Sequence, residues 1–130
     1  MQNNTKKYTL FFPIIIAVII FILSHQNRLP LPDYGLTIED KIAHVFAYLV
    51  FGMSVMYSLQ NLYPGVNYSR LKILVLIIGI LYGASDEIHQ YFVPGRSCDA
   101  LDLISDSIGV YFSILMYPMF KKLVSAKRHV

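Results

Sequence analysis

Four apolar segments leave this chain few ways to fold. Tyr8–Leu23 reads YTLFFPIIIAVIIFIL without a charge, and Ile42–Tyr63 runs apolar after His44 near its start. Leu71–Ala84 continues through SDEIHQYF, and Leu101–Phe120 is apolar except for Asp102 and Asp106. A helix crosses about 30 Å of hydrocarbon with about 20 mostly apolar residues. Soluble domains seldom combine 55% hydrophobic with 15% charged residues. The breaks SHQNRLPLPDYG, YPGVNYSR and VPGRS carry the proline and glycine signals that end helices. The expectation is therefore one all-α integral membrane domain over residues 1–130, a four-helix bundle with spans near 6–25, 42–63, 71–92 and 99–120. Lys6 and Lys7 precede the first apolar run as in a signal peptide. No small-x-small cleavage site follows, so an anchor is expected. Pro13 is expected to bend that helix.

Lysine and arginine set the orientation. With four spans, Lys6, Lys7, Arg70, Lys72, Lys121, Lys122, Lys127 and Arg128 share one side, against Arg28, Lys41 and Arg96 on the other. The bias predicts both termini in the cytoplasm of a multi-pass cell-membrane protein. It also accounts for the net charge of +3, so no nucleic-acid partner is expected. Cys98 is the one cysteine, which excludes an intrachain disulfide and makes a thiolate metal site improbable.

Of eight acids in the chain, Asp86, Glu87, Asp99, Asp102 and Asp106 crowd into GASDEIHQYFVPGRSCDALDLISDSIG, on the side assigned outward. Helical spacing puts Lys41, His44 and Tyr48 on one face of the second helix. Gly79, Gly83, Glu87 and Gln90 share a face of the third, where GILYG is a small-xxx-small pattern that lets helices approach closely. Asp102, Asp106, Gly109 and Ser113 make a stripe on the fourth, with Ser97 or Asp99 as its N-cap. At 1.5 Å per residue, Asp106 lies roughly 10 Å below the helix start, near the depth of Asp86 and His44. Three helices thus deliver polar groups to one outward region. A carboxylate there costs about 2.5–3.5 kcal/mol without a partner, and ionisable residues inside a membrane are functional candidates.

Each candidate has two readings. His44 with Tyr48 can carry a proton or ligate a metal, or His44 can simply bond an acid on a neighbouring helix. Asp86, Glu87, His89 and Gln90 carry donors suited to a divalent ion, but adjacent helical positions diverge by about 100° and cannot all converge, and His89 can face lipid headgroups. Arg96 can clamp a phosphate or pair with Asp99 or Asp102. Asp102 and Asp106 can be acid or base residues or pairs that fix helix register.

DKIAHVFAYLVFG, Asp40–Gly52, resembles the first signature of the VanZ-like family, D-K-x-x-H-x-x-x-Y followed by glycine. DEIHQYFVPGRS…LDLISDSIG resembles the second, an acid-x-x-Q element, P-G-R, then D-x-x-x-N/D-x-x-G. LSHQN is similar to the family's short S-x-Q element. Asp106 stands where many members carry asparagine, and Asp99 falls where the pattern is open. The resemblance implies a bacterial four-span membrane protein; the family takes its name from a protein associated with resistance to the antibiotic teicoplanin.

Two function classes follow. One is a protein that binds a membrane lipid or lipid-linked cell-envelope component and alters glycopeptide susceptibility, with Lys41, His44, Tyr48, Glu87, Gln90 and Arg96 lining the ligand site. The other is a small enzyme acting on lipid-linked phosphate or peptidoglycan precursors, drawing on His44, Asp86, Glu87, Asp102 and Asp106. No established catalytic spacing such as G-x-S-x-G or H-E-x-x-H is present, so the sequence leaves the enzyme question open. No cofactor is expected; if a divalent metal binds, His44, Glu87 and Asp106 are its candidate ligands. A proton-coupled transporter is disfavoured, because no acid lines the inner half.

Overall fold

Apolar runs broken only at proline and glycine fold as helices, since a helix satisfies its own backbone polar groups. The computed structural model describes residues 7–25, 37–96 and 98–126, helical apart from short connections. Lys6, Arg28, Lys127 and Arg128 of the charge count, and Ser97 as a cap, lie outside the described residues. A 3-10 turn, Tyr8–Leu10, leads into α1, Phe11–Ser24; then come α2, Thr37–Leu62, α3, Tyr68–Tyr91, and α4, Ala100–Ala126. Pro13 falls in the first turn of α1, where a missing N–H costs no intrahelical bond, so it does not interrupt the helix. Helices α2 and α4 overrun their predicted spans, α2 beginning about a turn earlier and α4 continuing past Pro118 to Ala126, while α1 falls inside its own.

Two helical stretches, Ile38–Leu62 and Ala100–Leu123, are long and apolar enough to cross a membrane. Tyr8–Ser24 is apolar but shorter. In α3 the closing turns carry Asp86, Glu87 and His89, which interrupts its apolar run. The surface is greasy and the interior holds polar groups. Phe11, Phe12, Ile15, Phe46, Leu81, Ile104 and Leu115 are among the large apolar side chains left exposed. Buried inside are His44, Asp86, Glu87, Gln90, Asp102, Asp106 and Ser113. A continuous apolar exterior of this kind marks a surface that meets lipid or another apolar partner.

The most extensive pairing is α2 with α4. It depends on two glycines whose missing side chains admit the neighbour. A Cβ on Gly109 would collide with the Val45 carbonyl oxygen and lie 3.0 Å from the Leu49 nitrogen. One on Gly52 would run into the Ser113 side chain. On α3, Gly79 abuts Val110 and Gly83 abuts Leu103 and Asp106. The core between these helices holds Tyr48, Phe51, Val55, Met56, Val75, Val110 and Ile114.

The first helix is tied to the others partly by hydrogen bonds. Ser58 Oγ donates to the Thr9 carbonyl at 2.6 Å, Tyr82 Oη to the Ala17 carbonyl at 2.6 Å, and Ser24 Oγ to Asp86 Oδ2 at 2.8 Å. Tyr82→Phe is expected to lower stability by about 0.6–1 kcal/mol, the range for one interhelical bond, as read by thermal unfolding in detergent.

Candidate functional site

The loop between α3 and α4 is set by a four-residue turn. The Arg96 amide donates to the Val93 carbonyl at 3.1 Å, with Pro94 and Gly95 between them. Gly95 has φ +80°, the one positive φ among the described residues. Proline followed by glycine at positive φ is a type II turn, which a side chain at Gly95 would strain. The turn folds Arg96 back over α3, where Nη2 donates to Gln90 Oε1 at 2.8 Å.

Asp99 then starts α4. Its Oδ1 accepts from the Leu101 amide at 2.9 Å, the bond of an N-cap. Its own amide donates to Glu87 Oε2 at 2.8 Å, fixing the α3 carboxylate to the α4 entrance. Asp99 therefore joins two helices, a role its open position in the family pattern gave no sign of. Lys41, from the first turns of α2, bonds Asp99 Oδ2 at 2.6 Å and also Asp102 Oδ1.

One turn deeper, His44 Nδ1 and Asp106 Oδ1 are 2.8 Å apart. Asp86 Oδ2 accepts from Ser24 of α1 and, at 3.1 Å, from Gln90 Nε2. A chain of contacts thus runs Ser24–Asp86–Gln90–Arg96 beside a second, Glu87–Asp99–Lys41–Asp102. The acids are deeply enclosed: Asp106 is 0%, Asp102 2%, and Asp86 and Glu87 each 3% exposed. Tyr48 is fully buried in the same region.

Hydrogen bonds do not saturate this cluster. Tyr48 Oη, Asp86 Oδ1, Glu87 Oε1 and Asp106 Oδ2 are buried with no hydrogen-bond partner among the described residues. Buried polar groups in folded proteins are almost always partnered, so four orphans in one place mark a region with capacity for something else. A groove of about 150 Å³ reaches the cluster, lined by Ile20, Ser24, Asp40, His44, Tyr48 and Arg96 among others.

The structure therefore draws together Lys41, His44, Tyr48, Asp86, Glu87, Gln90, Arg96, Asp102 and Asp106, from three helices and one turn. His89 is placed apart. Its ring lies 4.3 Å from that of Phe21, and Nε2 is 3.2 Å from His25 Nδ1, so it packs against α1. Arg96 bonds neutral Gln90, while Asp99 and Asp102 take Lys41, so of the two readings of Arg96 the carboxylate pairing gives way to a lysine one. Ser24 was missed as a site residue, although it begins the S-x-Q element within LSHQN; a serine just past an apolar run gives no hint of a partner 62 residues away.

Fold and cluster together define a helical protein with candidate membrane spans and a polar interior. The chain belongs to the VanZ/LLP1 family, whose model matches residues 3–121. An uncharacterized protein of Schizosaccharomyces pombe is 24% identical over 117 residues, covering 90% of this chain and 67% of that protein. No solved structure matches. Family and spans point to a membrane protein.

Proposed function

We propose that this is a four-span membrane protein whose termini lie in the cytoplasm and whose polar cluster opens outward, where it binds the anionic headgroup of a membrane lipid or lipid-linked envelope precursor. The orientation rests on the lysine and arginine bias across the loops. The ligand reading is carried by Arg96. Its guanidinium lines the groove, half-buried, with Gln90, a neutral partner, as its hydrogen-bond acceptor. A planar fork of donors at the mouth of a groove between apolar helices suits a phosphate whose acyl tails lie along the exterior. Lys41 serves differently from the expectation, because two carboxylates already occupy its ammonium. It braces α2 against α4, and the anion falls to Arg96.

An envelope role in glycopeptide susceptibility, in a bacterial setting, follows from the family's namesake and belongs to this reading. The relative in a yeast favours a phospholipid over a cell-wall polymer, since phosphate headgroups are common to both kinds of cell. A second reading, an enzyme acting on a lipid-linked phosphate, is favoured by the His44–Asp106 pair beside Glu87, a donor and acceptor set able to move a proton.

The test is binding of phosphatidylglycerol against phosphatidylcholine to the purified protein in detergent. Saturable binding of the anionic lipid is expected, weakened about tenfold or more by Arg96→Gln, since a charge-assisted hydrogen bond contributes about 1.5–3 kcal/mol. Arg70→Gln, an exposed arginine at the start of α3, is expected to leave binding unchanged. Equal binding of both lipids would sink the proposal. Release of phosphate or headgroup during incubation would move it to the enzyme reading.

A further inference from the structure

Within the cluster, three side chains from three helices converge more closely than the rest. His44 of α2, Glu87 of α3 and Asp106 of α4 each offer one ligand atom, and these atoms lie within 4.8 Å of one another. All three residues are buried. Two carboxylate oxygens here, Glu87 Oε1 and Asp106 Oδ2, are among the orphaned acceptors, and Tyr48 Oη is a third orphan in the same cluster. Glu87 has no lysine or arginine partner among the described residues; its bond is from the Asp99 amide. Leaving buried acceptors unpaired is costly, and more so when they are charged.

We propose that His44, Glu87 and Asp106 form a binding site for a divalent first-row transition cation, zinc or manganese in class, held between α2, α3 and α4. The spacing suits it. Zinc bonds of about 2.0–2.2 Å place neighbouring ligands of a tetrahedron about 3.3–3.6 Å apart, so donors within 4.8 Å of one another close by about an ångström to share an ion. The donor set also selects. Two carboxylates with one imidazole suit zinc or manganese, whereas calcium and magnesium prefer oxygen alone. No thiolate takes part, since Cys98 is exposed. His44 Nδ1 and Asp106 Oδ1 already face each other at 2.8 Å, and an ion between the two side chains would replace that hydrogen bond. One dication would satisfy both orphaned carboxylate oxygens and neutralise both acids. The groove lined by Ser24, His44 and Tyr48 gives it a way in.

A second trio, Asp40, His44 and Asp102, meets the same spacing. It is the poorer site, because the Lys41 ammonium already sits on Asp102 and would repel a cation. The metal proposal stands apart from the anion reading, since Arg96 is not a ligand in it.

The experiment titrates zinc, manganese, calcium and magnesium separately into chelator-treated protein in detergent, reading stoichiometry by calorimetry and unfolding temperature in parallel. One equivalent of zinc or manganese per chain is expected, bound more tightly than calcium or magnesium and raising the unfolding temperature. Glu87→Gln and Asp106→Asn are each expected to weaken it more than about tenfold. Both keep the shape of the side chain and remove its charge, so one remains informative if the other fails to fold. Glu39→Gln, exposed at the start of α2, is expected to change nothing. Three results overturn the assignment: no stoichiometric binding, binding unchanged in both variants, or loss on His89→Gln or Asp102→Asn while Glu87→Gln still binds. The His89→Gln result would place the metal on the exposed His25–His89 pair.

Discussion

Lys41→Met is expected to destabilise the protein by about 3 kcal/mol, the low end for removing one partner of a buried ion pair, since Lys41 is itself partly exposed. The reason is what it leaves behind. Lys41 bonds Asp99 and Asp102 together, and Asp102 is 2% exposed, so the variant strands a carboxylate inside the bundle. Asp99 loses the contact that holds the α4 entrance to α2. The partner change tests this directly. Asp102→Asn on the Lys41→Met background is expected to recover a large part of the loss, because the stranded charge is gone. Thermal unfolding of the four proteins of the cycle in one detergent gives the coupling. Additive losses would show that Lys41 acts through its alkyl chain rather than its charge.

Gly109→Ala carries the second large effect, an expected loss of about 1–3 kcal/mol or more from overpacking. Its Cβ would meet backbone atoms of α2, the Val45 carbonyl oxygen and the Leu49 nitrogen, and backbone cannot swing aside as a flexible side chain can. The helices would have to separate along their most extensive contact, loosening the His44–Asp106 pair three residues away. Gly65→Ala is the matched control, since a Cβ there meets nothing within 4 Å. The expected change is none or a slight gain from the stiffer unfolded chain. Unfolding midpoints of the two variants separate packing from any general effect of losing a glycine. Equal behaviour would mean α2 and α4 approach less closely than described.

Helix existence was legible because apolar runs of this length admit little else, and the 3.6-residue period put His44, Glu87 and Asp106 on inward faces. That these side chains share a depth also followed from rise per residue. Partner choice did not. Whether Lys41 or Arg96 takes Asp99 and Asp102 depends on how the Pro94–Gly95 turn points the arginine, and nothing in the residue types decides it. The small-xxx-small pattern announced Gly79 and Gly83, whereas Gly52 meets Ser113 and Gly109 meets Val45 across long stretches of intervening sequence. The register of these contacts is a property of the crossing, invisible along one strand of sequence. The role of Asp99 was hidden for a related reason: its bonds with Leu101, Glu87 and Lys41 lead to separate places in the fold.

The order of the helices along the chain gives the Lys41 bridge a consequence for biogenesis. Synthesis begins at the N-terminus, so α2 with Lys41 and His44 enters the membrane before Asp102 and Asp106 have been made. Next arrives α3, bringing Asp86 and Glu87 but neither carboxylate that Lys41 will hold. The charges balance only when α4 docks, last of all. Until then the nascent protein carries a lysine without its aspartates, so assembly of the polar end closes in a single late step, and a chain cut short before α4 has no stable version of this site to offer quality control.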